Sequence, residues 1–145
     1  MTNTKSQRLA LRDFDHARRQ AFWRDVLGRL TGNKRQLLPF DPSHLSLHFE
    51  GQRYRGLQVV PLDSIVGSEG RHRDFDGAFY PLLSRTQDRW VRIDQAYYEQ
   101  VALPPIQLWK VGKLYFVRDG HHRVSAARAR QQDFVDAEVI EVDVA

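Results

Sequence analysis

The sequence predicts an α+β domain, a small mixed sheet with packed helices, preceded by an amphipathic N-terminal helix. Three observations carry this reading. The last forty residues run strand, strand, helix, strand, with turn residues between them. Residues 11–30 repeat their apolar side chains at helical spacing. The 145 residues are 41% hydrophobic, enough for one domain to bury a core without disulfides.

Taken in order, the first helix is expected over residues 11–30. Phe22, Trp23, Val26, Leu27 and Leu30 form one broad apolar face, with Arg18, Arg24 and Asp25 among the polar positions. Thr31, Gly32 and Asn33 end it, because glycine or asparagine accepts the left-handed cap. Pro39 and Pro42 mark a loop. Residues 45–50 alternate, Gly51 and Gln52 have turn character, and strand formers resume over 54–60, so a hairpin is expected there. After Pro61, residues 62–77 read as a loop in which Gly70 and Gly77 flank a charged stretch and offer its side chains outward.

A second helix is expected over 88–101, with Trp90, Val91, Ile93, Ala96, Tyr97 and Val101 as its apolar residues, and Pro104-Pro105 stops it. Residues 106–111 and 114–117 form two strands joined at Gly112-Lys113, residues 120–131 a helix, and 137–144 a closing strand. In that strand Ile140, Val142 and Val144 share one face, and Val139 lies with Glu141 and Asp143 on the other. The chain divides into a basic helical segment, residues 1–35, and the sheet domain, residues 36–145, with no linker between them.

Composition narrows the chemistry. Cysteine is absent, which excludes thiol catalysis and cysteine-based zinc sites. No apolar run is long enough for a membrane span and the N-terminus has no signal-peptide core, so the expectation is a cytoplasmic protein without membrane partners. The net charge of +4 is unevenly spread: residues 1–35 hold nine Lys/Arg against three Asp/Glu, a local +6, leaving 13 against 15, or −2, for the rest. A basic segment of this kind can follow a nucleic-acid backbone or an acidic partner, or be a charge-rich surface helix. His44 and His48 sit four apart, but no carboxylate or third histidine completes a metal set, and no metal site is assigned.

The most informative stretch is Asp119-Gly120-His121-His122-Arg123. An apolar strand enters a glycine turn and leaves as a helix, so free backbone N–H groups and the positive end of the helix dipole converge on one point. Gly120 permits positive φ and close approach of a phosphate. Arg123 offers a planar fork of donors, and His122 a hydrogen bond or, with an anion beside it, a charge. His121 opens the helix. Asp119 has two readings: an N-cap accepting from the amides of residues 121 and 122, or a general base or metal-water ligand. Arg71 and Arg73, from the glycine-flanked loop, are the further anion ligands, against an alternative of surface pairing with Asp74 and Asp76.

Pro104-Pro105-Ile106-Gln107-Leu108-Trp109, then Tyr115-Phe116-Val117, then Asp119-Gly120-His121-His122-Arg123 and a small-residue helix resembles the core of the ParB/sulfiredoxin superfamily over about residues 57 to 144. The resemblance implies a sulfiredoxin-like fold with a phosphate-binding turn. Sulfiredoxin reads glycine-cysteine-histidine-arginine there; His121 stands in the cysteine's place, so repair of oxidised peroxiredoxin is excluded. Partition proteins read glycine-glutamate-arginine-arginine and bind CTP; Gly120 and Arg123 match. The archaeal free serine kinase reads aspartate-glycine-histidine-threonine-arginine, and Asp119, Gly120, His121 and Arg123 match four of its five positions. The implied function is a nucleotide-binding domain for ATP, ADP or CTP, with Mg2+ in attendance. Its activity would be phosphotransfer or slow nucleotide hydrolysis, with Glu69, Asp74 or Asp76 as the second acidic group. The alternative is a DNA-associated regulatory or partition-like protein using its basic N-terminal helix. A third reading is an interaction module that forms a homodimer through an exposed Trp23 or Trp90 face.

Overall fold

Residues 4–33, 35–42 and 49–144 are described by the computed structural model of the chain. Helix α1 spans Lys5–Thr31; Thr4 caps its start by accepting the Gln7 N–H at 3.1 Å, and Gly32 ends it at φ 75° as the expected left-handed cap. The buried side of α1 is Ala10, Phe14, Ala17, Ala21 and Gly28. This corrects the expected apolar face: Phe22, Trp23, Leu27 and Leu30 are 60, 59, 58 and 78% exposed. The reason is steric. The core partner of α1 is bulky Trp90 on helix α2 (Gln87–Tyr98), and a face of small residues lets the two helices close until Phe14 meets Trp90 edge to face at 5.5 Å. Trp90 is fully buried, and its Nε1 donates to Ser125 Oγ at 2.8 Å, so an exposed Trp90 face does not exist.

Helix α2 follows a short 3-10 turn, Ser84–Thr86, and is already over when the chain reaches Pro104-Pro105. It closes at Gln100, which adopts φ 55°, with the Val101 N–H bonded back to the Ala96 carbonyl at 2.9 Å. The proline pair instead leads into the sheet.

Among the described residues that sheet has six strands: β1 (Leu38–Pro39), β2 (Phe49–Pro61), β3 (Ile65–Ser68), β4 (Ile106–Val111), β5 (Leu114–Asp119) and β6 (Phe134–Val144). Their spatial order is β1-β3-β5-β4-β6-β2. β4 and β5 form the expected hairpin through Gly112 at φ 62°, and the remaining pairs mix directions: β1 with β3, β3 with β5 and β4 with β6 are parallel, while β2 with β6 is antiparallel. Helix α3 (His121–Ala129) connects β5 to β6. The result is a mixed α/β fold with three α-helices among the described residues, the N-terminal α1 being one of them, as the sequence predicts. No helix among the described residues is long and apolar enough to cross a membrane.

Two sequence expectations are corrected in the sheet. Gly51-Gln52 is not a turn: both residues lie inside β2, paired with Asp143 and Val142, and a register irregularity between Phe49 and Gly51 absorbs the glycine. The eleven residues of β6 supply a continuous partner that holds this stretch extended. Residues 43–48, including His44 and His48, lie outside the described residues. The second correction is at 65–68, read as loop but found as β3 in parallel pairing with β5; its support comes from residues some fifty positions away, which no local pattern reveals.

One sheet face carries the main core, with Val60, Ile65, Leu108, Val117, Val124 and Val139 packed together; Trp109, Phe116 and Val142 form a smaller cluster on the other. The β6 alternation therefore has the expected sense at Val139 and Val142. Beside the main core, Phe14, Trp90 and Ala126 unite α1, α2 and α3 in one cluster.

Candidate functional site

Strand β5 delivers Asp119 to the turn, and Gly120 at φ 100° is itself the cap of α3, with no side chain accepting from the first-turn amides. The N-cap reading of Asp119 is thereby corrected. Its side chain is 72% exposed and points along the helix, with Oδ2 3.8 Å from Arg123 Nη2. The N-terminal amides of α3 thus keep their positive potential for an external acceptor. Only glycine fits here, because a Cβ would lie 2.5 Å from Ile106 Cγ2.

His121 is buried, and its Nε2 lies 2.6 Å from Ser68 Oγ, which also accepts the Arg71 N–H at 3.1 Å. With its oxygen accepting from that amide, the hydroxyl is free to donate its proton to a neutral imidazole. Burial, then the Arg71 and His122 charges, hold the His121 pKa down to about 4. His122 is likewise lowered to about 4, first by burial and then by Arg71 and Arg89. Both imidazoles are neutral at pH 7. Phe75 packs against the pair, parallel to His121 at 6.5 Å and edge-on to His122 at 5.7 Å.

Arg123 is nine-tenths buried, and burial lowers its pKa against the opposing pull of Asp119 and Tyr97. Arg123 lines a cleft of about 280 Å³ beside Tyr97, Pro104, Pro105 and Ile106. Two polar atoms of consecutive residues, His122 Nε2 and Arg123 Nη1, are buried with no hydrogen-bond partner. Such atoms are costly unless a ligand or water meets them.

The two loop arginines separate. Arg71 faces the histidines and reaches Asp74 Oδ2 at 3.3 Å, while Arg85 reaches the other Asp74 oxygen at 3.4 Å. Arg73 points elsewhere, lining a larger cavity with α1. The three acidic residues also divide. Asp74 is near enough to raise both histidine pKa values, against the larger lowering effects. Glu69 is held by Trp109 Nε1 at 2.7 Å, and Asp76 accepts the Ala78 and Tyr80 amides at 2.9 and 3.0 Å. Among the described residues no group of three or more histidines and carboxylates is placed to hold a metal ion. Sequence reasoning did not single out Ser68 or Arg89. Ser68 had a signal, its place in the Gly67-to-Gly70 stretch, whereas an arginine on a charged helix has none.

The fold and this turn define a mixed α/β domain in which a strand end and an uncapped helix start meet. A solved structure similar to the chain is sulfiredoxin from Arabidopsis thaliana, at 18% identity and a TM-score of 0.42, over 57% of this chain and 82% of that one. No family model matches the sequence, and no curated protein matches it.

Proposed function

We propose that the Gly120 turn binds the phosphates of a nucleotide, ATP, ADP or CTP, with Gly120, His121, His122 and Arg123 around the anion and Arg71 supplying further positive charge. The observation that carries this reading is the pair of buried, unpartnered polar atoms, His122 Nε2 and Arg123 Nη1, beside a helix start that no side chain caps. A phosphate would give both donors an acceptor and would meet the helix dipole with the complementary sign. Its charge would also oppose that of Arg71 and raise the histidine pKa values, strengthening the bond it receives. The likeness of Asp119-Gly120-His121-His122-Arg123 to the serine-kinase turn supports phosphoryl transfer over redox chemistry. Arg73, turned away from the histidines, would join only through loop movement.

Asp119 fits two tasks because its carboxylate is exposed at the turn and serves no cap. It would hold a Mg2+ ion through water, the phosphates supplying the other ligands, or take the proton of an attacking hydroxyl. Mg2+ when bound supplies charge neutralisation on the transferring phosphoryl group.

Calorimetric titration with ATP, ADP, CTP and GTP, with and without Mg2+, tests the reading on wild type, Arg71→Ala and His122→Ala. Saturable binding by wild type that weakens at least tenfold in both variants, with melting temperatures retained, is expected. Absence of saturable binding by wild type to any of the four overturns it. If turnover accompanies binding, Asp119→Asn should lower it by about 100-fold or more while leaving affinity within a few-fold.

A further inference from the structure

On the opposite side of the 70–77 loop, α1 and the segment leading into β1 enclose a cavity of about 770 Å³ whose lining does not include His121, His122 or Arg71. Its apolar floor includes Leu37, Pro39, Phe75 and Leu82. Its walls carry Arg24, Arg35, His72 and Arg73 against two carboxylates, and both carboxylates are already engaged. Asp76 takes Arg24 at 3.1 Å and two backbone amides, and Asp25 takes Arg29 at 3.1 Å. Arg35 and Arg73 have no carboxylate partner among the described residues. The wall is fixed in place, because the Gly77 N–H bonds to the Arg35 carbonyl at 3.2 Å and Gln36 pairs with Asp76.

The cavity does not end at its rim. Leu27 belongs both to its lining and to an exposed stripe, Trp23, Leu27 and Leu30, at i, i+4 and i+7 of α1, flanked by Phe22 edge-on to Trp23 at 5.3 Å. Four large apolar side chains more than half exposed in one run are an interaction surface rather than scattered exceptions. A small molecule in the cavity would leave that stripe in water. A second copy would set one α1, with seven Lys/Arg against three Asp, on another of the same sign. A nucleic-acid backbone would satisfy the arginines and leave leucines facing phosphate.

We infer that this groove, the α1 stripe together with the Arg35 and Arg73 cavity, docks an acidic segment of a partner protein that carries large apolar anchor side chains. The anchors cover Trp23, Leu27 and Leu30 and fill the apolar floor, and the acidic positions meet the two unpaired arginines.

Selection of a random 16-residue peptide display library on the immobilised full chain tests this. Enriched peptides are expected to combine excess Asp and Glu with Leu, Phe or Trp. Their measured affinity should fall at least tenfold for Trp23→Ser/Leu27→Ser and for Arg35→Glu/Arg73→Glu. These are surface changes, and melting curves within a few degrees of wild type show that each variant folds. Four outcomes overturn the inference: no enrichment over a control protein; affinities that survive either double variant; a 20-base-pair DNA duplex that displaces the peptides at equal concentration; or a concentration-dependent dimer in sedimentation that Trp23→Ser/Leu27→Ser abolishes.

Discussion

A methyl group at position 120 would sit 2.5 Å from Ile106 Cγ2 and 2.9 Å from Arg123 Nη2, on a backbone held at φ 100°. Gly120→Ala therefore suffers twice. The left-handed backbone costs about 1–2 kcal/mol and the overpacking a further ~1–3 kcal/mol. A thermal melt followed by circular dichroism should show a fall in midpoint on the order of 5–10 °C, whereas an unchanged midpoint would mean that the turn relaxes freely. At this scale the sequence was readable wherever the chemistry is local. Asp119 to Arg123 is contiguous, and glycine before a helix announces itself. Two facts were hidden because they depend on chain folded from afar: the bond from Ser68 to His121 spans 53 positions, and of Arg71 and Arg73, two residues apart, the first faces the histidines while the second lines the cavity beside α1.

Between elements, charge burial sets a pH dependence of two opposite signs. Asp94, on α2, is fully buried with Oδ2 unpartnered, despite an Arg130 Nε donor 2.7 Å from Oδ1. Burial, then the nearby Asp13 carboxyl on α1, raise its pKa from 3.8 to about 7. A carboxyl raised in the fold contributes stability that is complete below 3.8 and is lost as pH climbs through about 7. His121 and His122, lowered from 6.5 to about 4, contribute stability complete above 6.5 and lost as pH falls through about 4. The melting temperature of Asp94→Asn minus that of wild type should therefore rise from pH 5 to pH 8, and the same difference for His122→Gln should rise from pH 7 to pH 4. Flat difference curves would show that these groups titrate alike in folded and unfolded chains. Element identity was legible for β4, β5 and α3, whose turns and alternation are local. The helix α1 was legible too, but its buried face was misread, because pattern reading weighs large apolar residues, and three alanines with a glycine do not register as the face that meets Trp90.

For the molecule as a whole, the order of strands matters more than their number. β2 lies at the sheet margin, paired among the described residues only with β6, and exposes Tyr54, Leu57 and Val59 at 66, 62 and 67%. Arg53 and Arg55 lie among them, reaching back across β6 to Glu141 at 3.3 and 2.8 Å, and Arg53 also to Asp143 at 2.8 Å. Replacing both, as Arg53→Thr/Arg55→Thr, should leave the monomer folded yet produce large species in sedimentation at concentrations where wild type stays small; equal behaviour of the two would show the arginines to be incidental. Eleven of the thirteen residues of this margin have a partner in β6, which fills one hydrogen-bonding side. The irregularity between Tyr54 and Gly56, with Gly56 at φ 78°, breaks the run of evenly spaced donors and acceptors that another chain would need to extend the sheet. Charge and kink together act as a gatekeeper against fibril growth by strand addition, a duty distinct from any ligand the protein holds.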